Sequence, residues 1–283
     1  MSVDPAVVEQ SISSQEAALL GVVQGITEYL PVSSSGHLTL AQHMLGFTEP
    51  EIFFDIVLHI GTLAAVIWYY RKSLLSSISE TIVGLRAIIG GASPAKLMAE
   101  SEGFRLWALV FFAMVPTGVI GLSMKKWFEA MFEQPALVGV MLIITGVVLF
   151  LTRFARQKGA GVLDMGIMTA LAVGAVQGLA VAPGISRSGA TICVALFFGV
   201  EKETAARFSF ILSIPAVLGA LILKMREDLG DVAPEAMATG FVTSAVVGYL
   251  CLALLIFIVK QGRLSWFSAY CVAVGAFAIF NFS

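Results

Sequence analysis

The sequence predicts an all-α integral membrane protein with six transmembrane helices and two re-entrant half-helix pairs. These are arranged as an inverted-topology repeat whose broken helices meet at the midplane. Three observations carry that reading. Of the 283 residues, 58% are hydrophobic and 13% charged, against about 25% charged in an average soluble domain. Two apolar stretches are broken by "PVSSSG" and "APGISRSG". The chain also matches itself at an offset of 153 residues.

The elements follow in order. Apolar pieces at 17–30 and 36–47 are too short to cross roughly 30 Å of hydrocarbon and read as half-helices. Stretches at about 52–70, 104–122 and 136–152 are long enough to span, or nearly so. The pieces 166–181 and 189–200 form a second broken pair, and 204–223, 238–259 and 264–282 complete the spans. Proline and glycine are tolerated at membrane depth only where protein or a wet cavity satisfies the freed backbone. The whole is expected to form one membrane domain over 1–283, with repeat 1 at about 17–152 and repeat 2 at about 166–282.

Charge sets the expected orientation. The 71–105 loop carries Arg71, Lys72, Arg86, Lys96 and Arg105. Arg153, Arg156 and Lys158 follow the third span, and Lys260 and Arg263 sit in the last turn. By the positive-inside rule these segments face the cytoplasm. The mixed 123–135 loop (Lys125, Lys126, Glu129, Glu133) and the acidic 224–237 loop (Glu227, Asp228, Asp231, Glu235) then face outward. The first broken pair enters from outside and the second from inside.

Other function classes fall away. The net charge is -2 and no basic cluster suggests nucleic acid. Cys193, Cys251 and Cys271 lie in apolar runs without metal-ligand spacing and read as reduced. The first sixteen residues carry Asp4, Glu9 and Glu16 without Lys or Arg, unlike the start of a signal peptide.

The repeat locates the candidate chemistry. Gly21, Val23, Gln24, Gly25, Ser33, Ser35, Gly36 and Gly46 match Gly174, Val176, Gln177, Gly178, Ser186, Ser188, Gly189 and Gly199. The copies differ where Glu28 stands opposite Val181, Ser34 opposite Arg187 and His37 opposite Ala190. One half supplies a carboxylate and an imidazole, the other a guanidinium. Half-helices beginning near Gly36 and Gly189 would aim unpaired amides into the cavity, an anion site that suits phosphate. Ser33, Ser35, Ser186 and Ser188 can cap those helices or bind the anion. Arg187 adds a planar fork matched to phosphate oxygens. Glu28 with His37 can move protons or hold a metal.

Each piece has a plainer reading. Glu28 as a neutral buried carboxyl, or paired with Arg187 in a structural salt bridge, needs no chemistry. Intramembrane acids are nevertheless costly and usually functional. His37 alone would be a packing or capping residue; its spacing from Glu28 and Ser34 lifts it. Asp55 and His59, four apart on one helix face, are either outer partners of the site or a buried pair. His43 reads as ordinary.

"QGITEYLPVSSSGH" together with "PGISRSGAT" resembles the bacterial undecaprenyl-diphosphate phosphatase, or bacitracin-resistance, family. Stretches such as "FSFILSIPAVLGA" extend the likeness over nearly the whole chain. The resemblance implies a hydrolase of the bacterial inner membrane. It would remove the terminal phosphate of a C55 polyprenyl diphosphate, recycling the carrier lipid for peptidoglycan synthesis. It further implies dependence on a divalent cation, Mg²⁺ or Ca²⁺.

Carried over by motif, the catalytic residues are Glu28, Ser34, His37 and Arg187, with Glu28 also on the metal. Gln24, Ser33, Ser35, Gly36, Ser186, Ser188 and Gly189 are expected to bind substrate. Many members have glutamate where this chain has Gln24, so Glu28 is the only acid in the motif. Two mechanisms fit: attack by Ser34 with His37 as base, or attack by a water that Glu28 or His37 activates. Expected partners are the polyprenyl diphosphate and the bilayer, with a homodimer left open. The rival reading is a transporter or flippase of polyprenyl phosphate lipids, since inverted repeats with broken helices are a common transporter plan.

Overall fold

The computed structural model describes residues 12–47, 52–155, 159–224 and 232–282. Asp4, Glu9, Arg156, Lys158, Glu227, Asp228 and Asp231, which entered the leader and orientation arguments, lie outside the described residues. The described chain is helical, and its only β pairing is an isolated bridge between Ala160 and Val200.

Among the described residues six helices are long and apolar enough to cross a bilayer, as expected for a multi-pass membrane protein. They are α3 (Ile52–Ile89), α5 (Glu102–Ser123), α7 (Pro135–Leu151), α10 (Lys202–Lys224), α11 (Pro234–Lys260) and α12 (Phe267–Phe282). Between them stand two pairs of shorter helices. The first pair is α1 (Ser14–Tyr29) and α2 (Ser34–Met44), and the second is α8 (Ile167–Leu179) and α9 (Arg187–Phe197). A capping box starts α1, with Ser13 and Glu16 satisfying each other's backbone amides.

Three expectations need correction. The 71–105 segment is mostly helix, because α3 runs on to Ile89 and α4 (Pro94–Glu100) follows. Its charges suggested a loop, but Leu74, Ser77, Thr81 and Gly84 recur at helical spacing. That stripe packs on the start of α5: Gly84 lies against Phe104, and Trp107 donates to Ser77. The 123–135 loop likewise contains α6 (Lys125–Phe132), which buries Phe128 and Met131. The half-helices also start earlier than expected, at Ser34 and Arg187. Ser33 and Ser186, the first serine of each break, are the caps, so helix begins immediately after them.

Packing between the halves comes in two like pairs, built on α1 and α8, which the 153-residue offset relates. Helix α1 lies along α11, and α8 lies along α5. In each case a Gly-x-x-x-Gly face permits the approach, as in other membrane helix pairs. A Cβ on Gly21 would sit 1.9 Å from the Thr243 hydroxyl, and one on Gly174 would sit 1.9 Å from the Ala113 carbonyl. The breaks themselves cross: Gly36 packs on Gly184, and Gly189 packs on Pro31. Pro31 and Gly184 occupy equivalent positions in the two copies.

This packing makes a stability prediction. Gly174→Leu should sharply lower the yield and melting temperature of purified protein, because overpacking costs about 1–3 kcal/mol or more. Gly219→Ala, at a site with open space around the added methyl, should leave both near wild type. Thermal unfolding in detergent checks the pair.

Candidate active site

The site forms where the two breaks cross. Ser33 has φ 70°, a left-handed backbone that serine adopts at a cost. Two hydrogen bonds offset it: the Ser33 hydroxyl accepts from the Gly36 amide at 3.3 Å and from the Gly184 amide of the other break at 3.1 Å. Gly184 takes the turn in the second copy, at φ 92°. There Ser186 is an ordinary extended cap, its hydroxyl accepting from the Gly189 amide at 3.1 Å.

Neighbouring spans fix both breaks. Thr145 of α7 donates to the Gly184 carbonyl at 2.8 Å and accepts from the Ser186 amide at 3.0 Å. Cys271 of α12 approaches the Pro31 carbonyl at 3.6 Å. The Tyr29 hydroxyl donates to the Thr62 carbonyl of α3. Ser188 donates to the Tyr29 carbonyl at 3.1 Å, binding the first turn of α9 to the end of α1.

On this frame Ser34 and Arg187 become the first helical residues of α2 and α9, equivalent positions in the repeat. Both reach the buried Glu28 near the end of α1. Arg187 Nη2 pairs with Glu28 Oε1. Ser34 Oγ donates to Glu28 Oε2 at 2.6 Å, and Gln24 Nε2 donates to the same oxygen at 3.1 Å. His59 Nδ1 stands 3.4 Å from that oxygen and 2.8 Å from the Gln24 amide. Two polar atoms here are buried without a partner among the described residues, Arg187 Nη1 and Gln24 Oε1. A small cavity beside the cluster is bounded by Glu28, His59, Arg187 and Ser213 at its polar end, with Leu63, Val66 and Val217 continuing it between α3 and α10.

The structure thus brings Glu28, Ser34, Arg187 and Gln24 together. His37 faces elsewhere: Nδ1 lies 2.8 Å from the Ser33 carbonyl and Nε2 lies 2.9 Å from the Tyr270 hydroxyl. Ser33, Ser186 and Ser188 direct their hydroxyls to backbone groups, and Ser35 stands 3.4 Å from Ser33 Oγ. Gly36 and Gly189 are the crossing points. Of the pair left open in the sequence, His59 joins Glu28, whereas Asp55 accepts from Gln42 of α2 at 2.8 Å. Thr62 and Tyr270 were not singled out. They belong to distant spans, and only the i, i+4 spacing of Asp55 and His59 hinted that α3 contributes.

No group of three His, Cys, Asp or Glu side chains converges among the described residues. The donors at the cluster are oxygens, the Glu28 carboxylate and the unpartnered Gln24 Oε1, which suit a hard cation that draws its remaining ligands from phosphate and water.

The ion pair makes the next prediction. Breaking a buried pair by removing one partner costs about 3–5 kcal/mol, whereas replacing both by apolar groups is often near neutral. Glu28→Leu should therefore melt well below wild type, and Glu28→Leu/Arg187→Leu should recover at least half of that loss. Both are read by thermal unfolding in detergent.

Residues 17–277 match the family described as bacitracin resistance protein BacA. Curated relatives named undecaprenyl-diphosphatase align over almost the full chain. One from Desulfosudis oleivorans is 47% identical over 262 residues, covering 92% of this chain and 95% of the relative. One from Desulfatibacillum aliphaticivorans is 44% identical, covering 92% and 96%. An archaeal relative from Methanosphaera stadtmanae is 39% identical, covering 93% and 96%. With its two broken helices, crossed cap serines and full-length match, the chain belongs to the bacitracin resistance protein BacA family.

Proposed function

We propose that the protein hydrolyses undecaprenyl diphosphate to undecaprenyl phosphate and inorganic phosphate, recycling the carrier lipid of wall synthesis and conferring bacitracin resistance. One observation carries the chemistry: Ser34 and Arg187, the first residues of two crossed helices, converge on one buried carboxylate. A hydroxyl at 2.6 Å from a carboxylate, beside a guanidinium with an unpartnered nitrogen, suits phosphoryl transfer better than carriage of an anion. A transporter needs the cation and the amides but has no use for the hydroxyl–carboxylate contact.

In this reading the terminal phosphate docks at the start of α2 and α9, where the helix dipoles and the free Arg187 Nη1 favour negative charge. Ser34 Oγ attacks the terminal phosphorus and passes its proton to Glu28. The bond from that phosphorus to the bridging oxygen breaks, and undecaprenyl phosphate leaves. Arg187 and the backbone amides stabilise the charge on the transferred group. Water then attacks the phosphorus on Ser34, giving its proton to His37 Nε2; the bond from phosphorus to Ser34 Oγ breaks, and Glu28 returns its proton to Oγ. A bound Mg²⁺ or Ca²⁺, held by Glu28 and Gln24 Oε1, would neutralise the phosphates. The prenyl tail leaves sideways between helices, because so long a chain cannot leave hydrocarbon cheaply. The excess of basic residues at the 71–105 and 260–263 segments supports an inner-membrane protein whose first break faces the extracytoplasmic side.

In detergent, with no second compartment, the purified protein should release phosphate from undecaprenyl diphosphate. Ser34→Ala should abolish that release yet still bind the lipid, because one neutral hydrogen bond is worth only about 0.5–1.5 kcal/mol. Acid quench of the wild type should trap a phosphorylated Ser34 detectable by mass spectrometry. Near wild-type turnover by Ser34→Ala would instead favour direct attack by water.

A second variant tests the guanidinium. Arg187→Lys keeps the charge but loses the fork. Its kcat/KM should fall about as far as that of Arg187→Ala; a rate close to wild type would reduce Arg187 to a distant charge.

A further inference from the structure

His37 is held apart from the Glu28 cluster by two contacts that define its chemistry. Nδ1 lies 2.8 Å from the Ser33 carbonyl, which can only accept, so Nδ1 carries the hydrogen. In the neutral ring Nε2 is then a lone pair. That lone pair faces the Tyr270 hydroxyl at 2.9 Å, and the two rings lie parallel, 7° apart with centroids 5.6 Å from each other. Tyr270 sits on α12, in the opposite half of the chain. The next residue, Cys271, is fully buried and reaches the Pro31 carbonyl of the same break. Tyr270 is therefore aimed by a fixed backbone, while its side chain remains 46% exposed.

We infer that Tyr270 is a positioning residue for His37, an inference that rests on the reading of His37 as a base. Its ring holds the imidazole plane. Its O–H, donating to Nε2, selects the tautomer with hydrogen on Nδ1. The base is thereby kept as a lone pair on Nε2. A water reaches Nε2 only when the half-exposed phenol swings aside. The Ser33 carbonyl that fixes the other nitrogen belongs to the residue whose hydroxyl ties the two breaks together. The orientation of the base is thus coupled to closure of the crossing.

Tyr270→Phe keeps the stack and removes one hydroxyl. We expect kcat to fall about tenfold, the low end of the loss seen when the outer partner of a metal-bound imidazole is removed, with KM within about twofold of wild type. Tyr270→Ala, which also loses the stack, should fall further. In a His37→Ala background Tyr270→Phe should add no further loss, since its effect runs through the imidazole. ¹⁵N NMR of histidine-labelled protein gives a readout independent of turnover: the Nδ1–H signature of His37 should give way to a tautomer mixture in Tyr270→Phe, at an unchanged melting temperature. If His37→Ala turns over at the wild-type rate, the reading of His37 as a base fails and this inference goes with it. If His37→Ala is crippled while Tyr270→Phe keeps the wild-type kcat, or the two losses multiply, or the tautomer is unmoved, the role of Tyr270 alone is overturned.

Discussion

The Glu28–Arg187 ion pair is the contact on which the rest of the site depends. Removing an ion from water into a protein interior costs several kcal/mol even after relaxation. Neither side chain can be tolerated at this depth without the other, or without a ligand standing in. The carboxylate comes from the end of one broken helix and the guanidinium from the start of the other. The pair therefore requires both breaks to be in register. The structure meets that requirement with backbone contacts: Ser33 Oγ to the Gly184 amide, Ser188 Oγ to the Tyr29 carbonyl, and Thr145 clamped on Gly184 and Ser186.

The same pair sets the energetics of ligand binding. A phosphate that takes Arg187 must leave Glu28 with other support. Ser34, Gln24 and His59 already crowd its second oxygen. They are neutral or conditionally charged, so they lower the cost of parting from Arg187 without cancelling it. A divalent cation held by Glu28 and Gln24 would supply the remainder.

Much of this was legible in the sequence because membrane insertion imposes strong rules. Length and apolarity mark the spans, and a serine-rich break cannot sit in hydrocarbon without a protein partner. The internal match singled out Glu28, Ser34, His37 and Arg187 as departures from a shared scaffold; Ser34 and Arg187 both contact Glu28, whereas His37 turns to Tyr270. What failed was local. Residues 71–89 carry enough charge to look like a loop, yet Leu74, Ser77, Thr81 and Gly84 form a helical stripe whose meaning appears only when α5 is beside it. The half-helix starts were placed at the glycines, but the capping hydroxyls of Ser33 and Ser186 determine them. Tyr270 was out of reach for a different reason. It enters through a tertiary contact with a span in the other half, and the repeat alignment, which compares each half with the other, has no register for such a contact; His59, left open by its spacing from Asp55, is settled only by its approach to Glu28.

The two copies share their frame and divide their chemistry. Glycine spacing, cap serines and the crossing of Gly36 over Gly184 and Gly189 over Pro31 recur. The first helical position is serine in one copy and arginine in the other, and only the first copy has an acid before its break. A symmetric crossing places two helix N-termini against one anion, which grips a phosphate but cannot distinguish attack from departure. Phosphoryl transfer needs a nucleophile with a proton acceptor on one side and charge stabilisation on the other. The division supplies that polarity: Glu28 and Ser34 from the first copy meet Arg187 from the second, while His37 stands apart against Tyr270. Tyr270 and His59 then refine the first copy's side alone, the tyrosine reaching His37 from α12 and the histidine reaching Glu28 from α3. The asymmetry that makes the site catalytic thus extends from the motif residues to the spans that support them.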